Sequence, residues 1–210
     1  MNRESAAKDL VCLVADKNLE ESFRGLLARP KALRVRELSC QIYVHAEHDP
    51  GCLLRSQDFL RPFVHQYQHA LVVLDRVGSG LDERPRIELE ERIEEQLQRA
   101  GWEGRAAAVV IDPELENWIW SDSPHVAGIL GWSSANELRD WLVEQGYLPR
   151  GSGKPEHPKE VVEAALRKMR KPRSSAVFRQ LAAKVSFQRC TDPAFAKLLR
   201  ILRTWFPTVR

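Results

Sequence analysis

The sequence predicts an α/β fold in which a parallel β-sheet is flanked by helices and followed by an α-helical C-terminal extension. Its short apolar runs are continuous rather than alternating, as expected for strands that are buried on both faces. Amphipathic segments separate these runs, which gives the order β-α-β-α-β-α-β. After Trp120 the strand patterns nearly vanish and helical patterns follow one another. We therefore expect an α/β domain over residues 1–122 and a helical basic extension over residues 123–210.

The α/β domain begins with the apolar run DLVCLVAD (9–16), which predicts a buried strand. The amphipathic helix that follows has Asn18 as its expected N-cap. Residues 33–45 alternate between apolar and polar side chains, which predicts one or two strands. Residues 52–67 predict a helix that Pro62 either kinks or restarts.

The run ALVVLD (70–75) predicts a second buried strand, and residues 105–112 predict a third. Residues 86–102, between them, predict a strongly amphipathic helix. The extension contains four segments with helical periodicity, at 134–146, 157–171, 174–185 and 192–206. In the last of these, Asp192 and Pro193 are expected as the N-cap and the first helical residue.

The composition, 43% hydrophobic and 29% charged, is typical of a globular protein. No apolar run approaches the roughly 18 residues that a membrane helix needs, and the first residues lack the pattern of a signal peptide. The four cysteines are scattered along the chain, at Cys12, Cys40, Cys52 and Cys190. This arrangement favours a reducing compartment over a disulfide scaffold. We therefore expect a cytoplasmic protein with no membrane partner.

Charge is distributed unevenly along the chain. Residues 151–210 hold 14 Lys and Arg against 4 Asp and Glu, a net charge of +10. Residues 1–150 hold 18 against 25, a net charge of −7. The basic end predicts either a solvated helical surface or a surface that binds nucleic acid or an acidic protein.

Acidic residues follow the predicted strands at the edge where ligands collect in parallel α/β sheets. Asp16, Asp75 and Asp112 each stand at a strand end, and other carboxylates follow them closely in sequence, at Glu20, Glu21, Glu114 and Glu116. Crowded carboxylates raise each other's pKa unless a cation lies among them. Oxygen ligands of this kind suit Mg²⁺ or Mn²⁺. Each acid taken singly also fits ordinary loop and capping chemistry.

The stretch PELENW predicts a helix that has Pro113 in its first turn and Asp112 as its N-cap. Asp112 and Glu116 are four residues apart and would share a face, so Glu116 is expected to face the other strand ends. Glu114 is then expected to pair with a base, such as an Arg of the extension. Trp120 continues the face of Glu116 and would form a wall of the cleft.

Two other patterns bear on function. His45, His48 and Asp49, in HAEHDPG, are possible transition-metal ligands, but no third nitrogen or sulfur donor stands at a telling spacing. Five tryptophans fit core or interface packing better than a base-stacking platform, namely Trp118, Trp120, Trp132, Trp141 and Trp205. The sequence contains no Walker loop, GxGxxG, HExxH or GxSxG motif.

The richest positive segment is RKMRKPRSSAVFRQ (167–180). Its candidate nucleic-acid-binding residues are Arg167, Lys168, Arg170, Lys171 and Arg173. They precede Ser174 and Ser175, which are suited to cap the next helix. A helix N-terminus flanked by cations is an anion site, so this segment is expected to meet a nucleic-acid phosphate or to fold back toward the acidic edge.

Five stretches carry a resemblance to known proteins, namely LVADKNLEESFRGLLARP, HDPG, VVLDRVGSG, VVIDPELENWIWSD and KPRSSAVFRQLA. Together they resemble small accessory proteins of prokaryotic methylation-associated phage-defence systems, over most of the chain. Residues 8–122 also resemble TOPRIM-like domains, the Rossmann-like sheets of topoisomerases, primases and overcoming-lysogenization-defect nucleases. The resemblance implies a component of an anti-phage complex, with other defence subunits as partners.

A TOPRIM domain places a Glu after its first strand and a DxD motif after its third, and these acids bind Mg²⁺. The resemblance assigns the first acid to Asp16 or Glu20 and the first Asp of the motif to Asp75, whereas Val77 occupies the motif's second acidic position. The candidate catalytic residues are therefore Asp16, Glu20, Asp75 and Glu116. The candidate metal ligands are Asp16, Asp75, Asp112, Glu114 and Glu116. This implies a Mg²⁺-dependent nuclease acting on DNA or RNA; the alternative is a non-catalytic module that binds a partner or docks DNA.

Overall fold

A computed structural model describes residues 7–120, 123–148, 154–187 and 190–208. Its β-strands are β1 (Lys8–Val14), β2 (Cys40–Val44), β3 (Tyr67–Asp75) and β4 (Ala106–Ile111). They form one sheet in the order β2-β1-β3-β4, and every neighbouring pair is parallel. The predicted α/β class with a parallel sheet is thereby confirmed.

Helices separate the strands and continue to the C-terminal end. The helices between strands are α1 (Lys17–Leu27), α2 (Pro30–Leu33), α3 (His48–Leu60) and α4 (Arg86–Leu97). Those after β4 are α5 (His125–Leu130), α6 (Ala135–Glu144), α7 (Pro158–Lys168), α8 (Ser175–Lys184) and α9 (Pro193–Trp205). Short 3₁₀ helices cover Arg61–Phe63 and Leu115–Trp118, and a π-helical turn covers Gln98–Trp102.

The sheet is buried between helical layers on both faces. Helices α3 and α4 contact each other and pack against β1, β3 and β4, whereas α1 packs against β1 and β2. The chain moves from β1 to β2 in one direction across the sheet and from β2 to β3 to β4 in the other. Because such crossovers are right-handed, α1 lies on the opposite face from α3 and α4. This double cover explains why the strands are continuously apolar.

The C-terminal helices complete the face that carries α1. Helix α8 packs along α1 at Gly25, where an added Cβ would lie 2.7 Å from the carbonyl oxygen of Arg179. Helix α9 packs against β4, and the ring of its Trp205 stacks on His69 of β3 with the centroids 4.4 Å apart. No helix in the described ranges is long and apolar enough to cross a membrane.

Several local predictions needed correction. The N-cap of α1 is Asp16 rather than Asn18, because Asp16 has the extended backbone and its Oδ1 accepts a 2.8 Å hydrogen bond from the Leu19 N–H. Residues 33–45 contain one regular strand, β2, and an isolated bridge between Val35 and Pro207. Helix α3 begins earlier than predicted, at His48, and ends before Pro62.

Other predictions about helix ends and tryptophans are confirmed. The carboxylate of Asp192 caps α9 by accepting from the N–H groups of Ala194 and Phe195, and Pro193 opens that helix. The segment at 134–146 offers Ser134 or Asn136 as its cap, and the Ser134 Oγ accepts a hydrogen bond from the Glu137 N–H at the start of α6. The tryptophans considered above pack in or against the core: Trp120 and Trp132 are buried, and Trp118, Trp141 and Trp205 are partly buried.

The exposed edge of the sheet at β4 is capped by side chains. Glu94 accepts a hydrogen bond from the Ala108 N–H and Glu90 accepts one from the Val110 N–H, each of 3.0 Å. Lys197 of α9 neutralises both carboxylates, at 2.8 Å from Glu94 and 3.2 Å from Glu90. These two N–H groups of the edge strand are therefore satisfied within the chain, which hinders pairing of the edge with another strand.

Candidate functional site: an acidic cluster at the carboxyl edge of the sheet

The ends of three adjacent strands lie at one edge of the sheet. Val14 pairs in register with Val73, and Asp75 pairs with Ile111. Asp16, Asp75 and Asp112 consequently follow neighbouring parallel strands, as the sequence predicted. The side chains at this edge nevertheless differ greatly in their surroundings.

Asp75 has the most unusual environment among them. Its Oδ1 atom is buried and has no hydrogen-bond partner among the described residues. Burial raises the pKa of Asp75 well above its ordinary value, and four neighbouring carboxylates add to this shift, in the order Asp49, Glu116, Asp16 and Glu114. We call these five residues the acidic cluster. They concentrate negative charge around the unpartnered Oδ1 of Asp75.

Asp49 joins the acidic cluster from the start of α3. Its Oδ1 accepts a 2.8 Å hydrogen bond from the Asp75 N–H. Burial raises the pKa of Asp49, the Asp75 N–H opposes that shift, and the charge of Asp16 adds to it. The neighbouring His48 has its Nδ1 3.1 Å from the Ala15 carbonyl oxygen, which fixes the start of α3 beside the end of β1. The sequence had suggested Asp49 only as a transition-metal ligand.

Glu116 is the deeply buried acid of the segment after β4, with 3% of its surface exposed. The 3₁₀ helix that carries it begins at Leu115, so the prediction that Pro113 lies in the first turn with Asp112 as N-cap is wrong. The Asp112–Pro113 peptide bond is cis, and Glu114 takes the extended N-cap position. Burial raises the pKa of Glu116 to about 6, its own N–H opposes this, and Glu114 adds to it.

Bases from the extension reach both glutamates of this segment. The Arg173 Nη2 lies 3.4 Å from the Glu116 Oε1, and its Nη1 lies 2.6 Å from Glu163. Glu114 accepts a 3.1 Å hydrogen bond from the Lys159 N–H, and the Lys159 Nζ is 3.7 Å from its other oxygen. Glu116 is thus the buried acid and Glu114 pairs with a base, although that base is a lysine of α7 and not an arginine.

Two acids proposed from the sequence lie outside the acidic cluster. The carboxylate of Asp112 is half-exposed and pairs with the Arg76 Nε at 2.8 Å. Glu20 pairs with Lys17 and Arg24, each at 2.6 Å. Burial raises the pKa of Glu20, but the hydrogen bonds from these two bases outweigh burial and leave the pKa lowered. Both carboxylates are therefore compensated by neighbours, and neither is among the main causes of the raised pKa of Asp75.

The histidines considered as metal ligands have separate structural contacts. His45 is buried, its Nδ1 accepts a 3.0 Å hydrogen bond from the Glu47 N–H, and its ring packs against Phe59. Burial lowers the pKa of His45. Within the described part of the chain, no three Asp, Glu, His or Cys side chains are arranged to hold a metal ion by themselves.

The basic segment is divided between the acidic edge and the surface. Arg173 reaches Glu116, and the Lys171 Nζ donates to the Ile129 carbonyl oxygen. The other candidate nucleic-acid-binding residues, Arg167, Lys168 and Arg170, are exposed. Ser174 is the N-cap of α8, as predicted, but its side chain makes no capping hydrogen bond.

A buried carboxylate supports the segment that carries Glu116. The Asp192 Oδ2 accepts a 2.8 Å hydrogen bond from the Asn117 Nδ2, and its Oδ1 accepts a 3.0 Å hydrogen bond from the Trp118 Nε1. Because Asp192 also caps α9, it joins the 3₁₀ helix to the C-terminal helix. The fixed orientation of this 3₁₀ helix determines where Glu116 lies.

The fold and the site define an α/β protein with a four-stranded parallel sheet and buried carboxylates at its carboxyl edge. The chain matches no protein-family model, no curated protein and no solved structure at a significant level.

Proposed function

We propose that the protein uses a divalent cation, Mg²⁺ or Mn²⁺, at the acidic cluster to hydrolyse phosphodiester bonds in nucleic acid. The observation that carries this proposal is the buried, unpartnered Oδ1 of Asp75 among four other carboxylates. A buried charge without a partner is costly, so such a group either holds a proton or binds a cation. Oxygen ligands favour Mg²⁺ or Mn²⁺ over softer metals.

Asp75 and Asp49 are the residues we assign to hold the cation. Mg²⁺ is usually bound by one or two carboxylates and completes its coordination with water and substrate phosphate. Two protein ligands therefore suffice. A set of three side chains arranged to bind a metal, which the described residues lack, is not needed. When bound, the cation would polarise the phosphodiester and lower the pKa of a water molecule. Asp16, as the cap of α1, adds negative charge at the same edge.

Glu116 has the properties of a general base in this proposal. Its pKa of about 6 lies close to neutral pH, where a proton acceptor is most effective. Burial between the 3₁₀ helix and the basic segment keeps the carboxylate oriented, and Arg173 contacts one of its oxygens. Glu116 would accept the proton of the attacking water, and Arg173 would stabilise negative charge beside it.

A role in prokaryotic anti-phage defence is supported by the resemblance of the motifs to accessory defence proteins. Of the acids that the TOPRIM-like resemblance assigns, Asp16 and Asp75 belong to the acidic cluster, whereas Glu20, the alternative first acid, pairs with Lys17 and Arg24. We therefore place the proposed nuclease within a defence complex of several subunits. The cell-based readout for this role is protection against phage by the complete system.

The test of the cation site is the Asp75→Asn variant, which preserves shape and removes the carboxylate. We expect Mn²⁺ binding, measured by calorimetry, and Mg²⁺-dependent cleavage of labelled DNA or RNA to be lost. Asp112→Asn is the matched control, because this half-exposed Asp follows the neighbouring strand but pairs with Arg76. Equal Mn²⁺ affinity in wild type and Asp75→Asn would reject the cation site.

A second candidate function is a non-catalytic module that binds a defence subunit or docks DNA. The ion pairs of Glu116 with Arg173 and of Glu114 with Lys159 favour it, since the chain itself partly neutralises its acids. In that case the acidic cluster joins the extension to the α/β domain. Wild-type protein that binds no Mn²⁺ and cleaves no nucleic acid, yet protects cells from phage, would support this second function.

A further inference from the structure

The end of α7 and the loop that follows form an open concavity of about 270 Å³. Its lining residues are Glu163, Leu166, Arg167, Lys171 and Arg173. Three of these five side chains are cations and one is an anion. Lys168 and Arg170, both exposed, lie beside the lining residues in sequence. We call this feature the basic concavity.

The cations of the basic concavity retain hydrogen-bonding capacity. The Lys171 Nζ donates to the Ile129 carbonyl oxygen, and an ammonium group has three N–H donors. Arg173 contacts Glu116 and Glu163 through its two terminal nitrogens, and a guanidinium has five N–H donors. Arg167 is exposed at the end of α7. A phosphate oxygen in the concavity would therefore meet several donors that carry positive charge.

The basic concavity adjoins the acidic cluster through one shared residue. Arg173 lines the concavity and also lies 3.4 Å from Glu116. A polyanion bound across the concavity would therefore pass next to the carboxylates at the sheet edge. Without a cation, the acids would repel this polyanion. We therefore expect the basic concavity and the acidic cluster to contact neighbouring segments of one substrate.

We propose that the basic concavity binds the phosphate backbone of a nucleic-acid strand and leads that strand to the acidic cluster. This inference rests on the proposed function, because it identifies where the substrate of that reaction is held. Among the described residues the lining consists of charged side chains and Leu166, so its polar contacts are suited to phosphate. Recognition is therefore of the backbone and independent of sequence.

The experiment measures binding of short fluorescent oligonucleotides by anisotropy, in EDTA, across a series of salt concentrations. Single-stranded DNA, double-stranded DNA and RNA are the probes. In Arg167→Gln we expect about tenfold weaker binding, the usual effect of losing one charge-assisted contact. The slope of log K against log salt should fall by about 0.7 for a single strand, because one fewer counterion is released. Arg167→Lys should restore most of the slope.

Arg61→Gln is the matched control, since Arg61 is exposed and lies in the turn before β3, at the opposite edge of the sheet. It should bind every probe as wild type does. EDTA removes divalent cations from every binding measurement, which separates this inference from the cation site. Wild-type protein that binds none of the probes at low salt, or equal affinity in wild type and Arg167→Gln, overturns the inference. An acidic protein would then be the better candidate ligand.

Discussion

The amide of Asp75 donates a 2.8 Å hydrogen bond to the Oδ1 of Asp49. This contact joins the end of β3 to the first turn of α3 and places two carboxylates side by side at the sheet edge. The Asp75 side chain gains no partner from it, since its Oδ1 has none among the described residues. This hydrogen bond therefore stabilises the contact between β3 and α3 and also holds two carboxylates next to each other.

Substitutions of Asp49 separate these two roles. Asp49→Asn keeps an oxygen acceptor for the Asp75 N–H, whereas Asp49→Ala removes it and leaves a buried donor unsatisfied. We expect Asp49→Ala to lower the free energy of unfolding by about 1–3 kcal/mol, and Asp49→Asn to lower it much less. Urea unfolding of both variants measures the difference. Mn²⁺ affinity should fall in both, because both remove a charged ligand; a variant that binds Mn²⁺ like wild type contradicts the assignment of Asp49.

The raised pKa of Glu116 predicts a pH dependence of stability. Its pKa is about 6 in the folded protein against an ordinary value of 4.5. Between these values the folded state binds more protons than the unfolded state, so stability falls as pH rises through this window. The contribution amounts to about 2 kcal/mol, since each pKa unit corresponds to about 1.4 kcal/mol.

Glu116→Gln removes this titration. As pH rises through that window, the free energy of unfolding of wild type should fall by about 2 kcal/mol more than that of the variant. The measurement is urea unfolding of both proteins at a series of pH values. Parallel pH profiles for the two proteins would show that Glu116 does not titrate in this range.

Much of the fold could be predicted from the sequence because the strands carry their own signal. Residues such as Val11 and Val72 lie in continuous apolar runs, and the observed strands are fully buried there. The order of helices and strands then placed Asp16 and Asp75 at one sheet edge. These two acids were correctly brought together because the topology alone decides which strand ends are neighbours.

The remaining site residues depend on contacts between distant segments. Asp49 was not grouped with the acids because the apolar pattern predicted a helix only from residue 52, whereas α3 begins at His48. His48 has a left-handed φ of 52°. Arg173 is separated from Glu116 by more than fifty residues of sequence, and their ion pair arises only from packing of the extension. A signal was present for Asp49 in the HDPG stretch, since an acid before Pro often starts a helix.

The two glutamates after β4 should differ in their effect on the cation site. Glu116 contributes more to the raised pKa of Asp75 than Glu114 does, and Glu114 is held by Lys159. We therefore expect Glu116→Gln to weaken Mn²⁺ binding and phage protection more than Glu114→Gln. The two variants are matched, because each replaces one carboxylate in the same segment. The reverse order would assign the base role to Glu114, and no effect in either would favour the non-catalytic function.

Asp192 should act on the acidic cluster through the 3₁₀ helix that it supports. It is 3% exposed and accepts from the Asn117 side chain, the Trp118 indole and two N–H groups of α9. In Asp192→Asn one oxygen acceptor is replaced by a donor, which would face the donors of Asn117 or Trp118. We expect a loss of about 1–3 kcal/mol in the free energy of unfolding, because a buried hydrogen bond is left unmade.

If the role of Asp192 is purely structural, Asp192→Asn should lower the free energy of unfolding and have no other effect. If the residue positions Glu116, Asp192→Asn should also lower the affinity for Mn²⁺ under conditions where the variant remains fully folded, and it should shift the fluorescence of Trp118, whose ring packs edge-on against Phe195. Glu94→Gln is the matched control, since it removes a partly buried carboxylate that caps the β4 edge at Ala108 and lies outside the acidic cluster. Destabilisation with unchanged Mn²⁺ affinity would show that Glu116 keeps its place without this support.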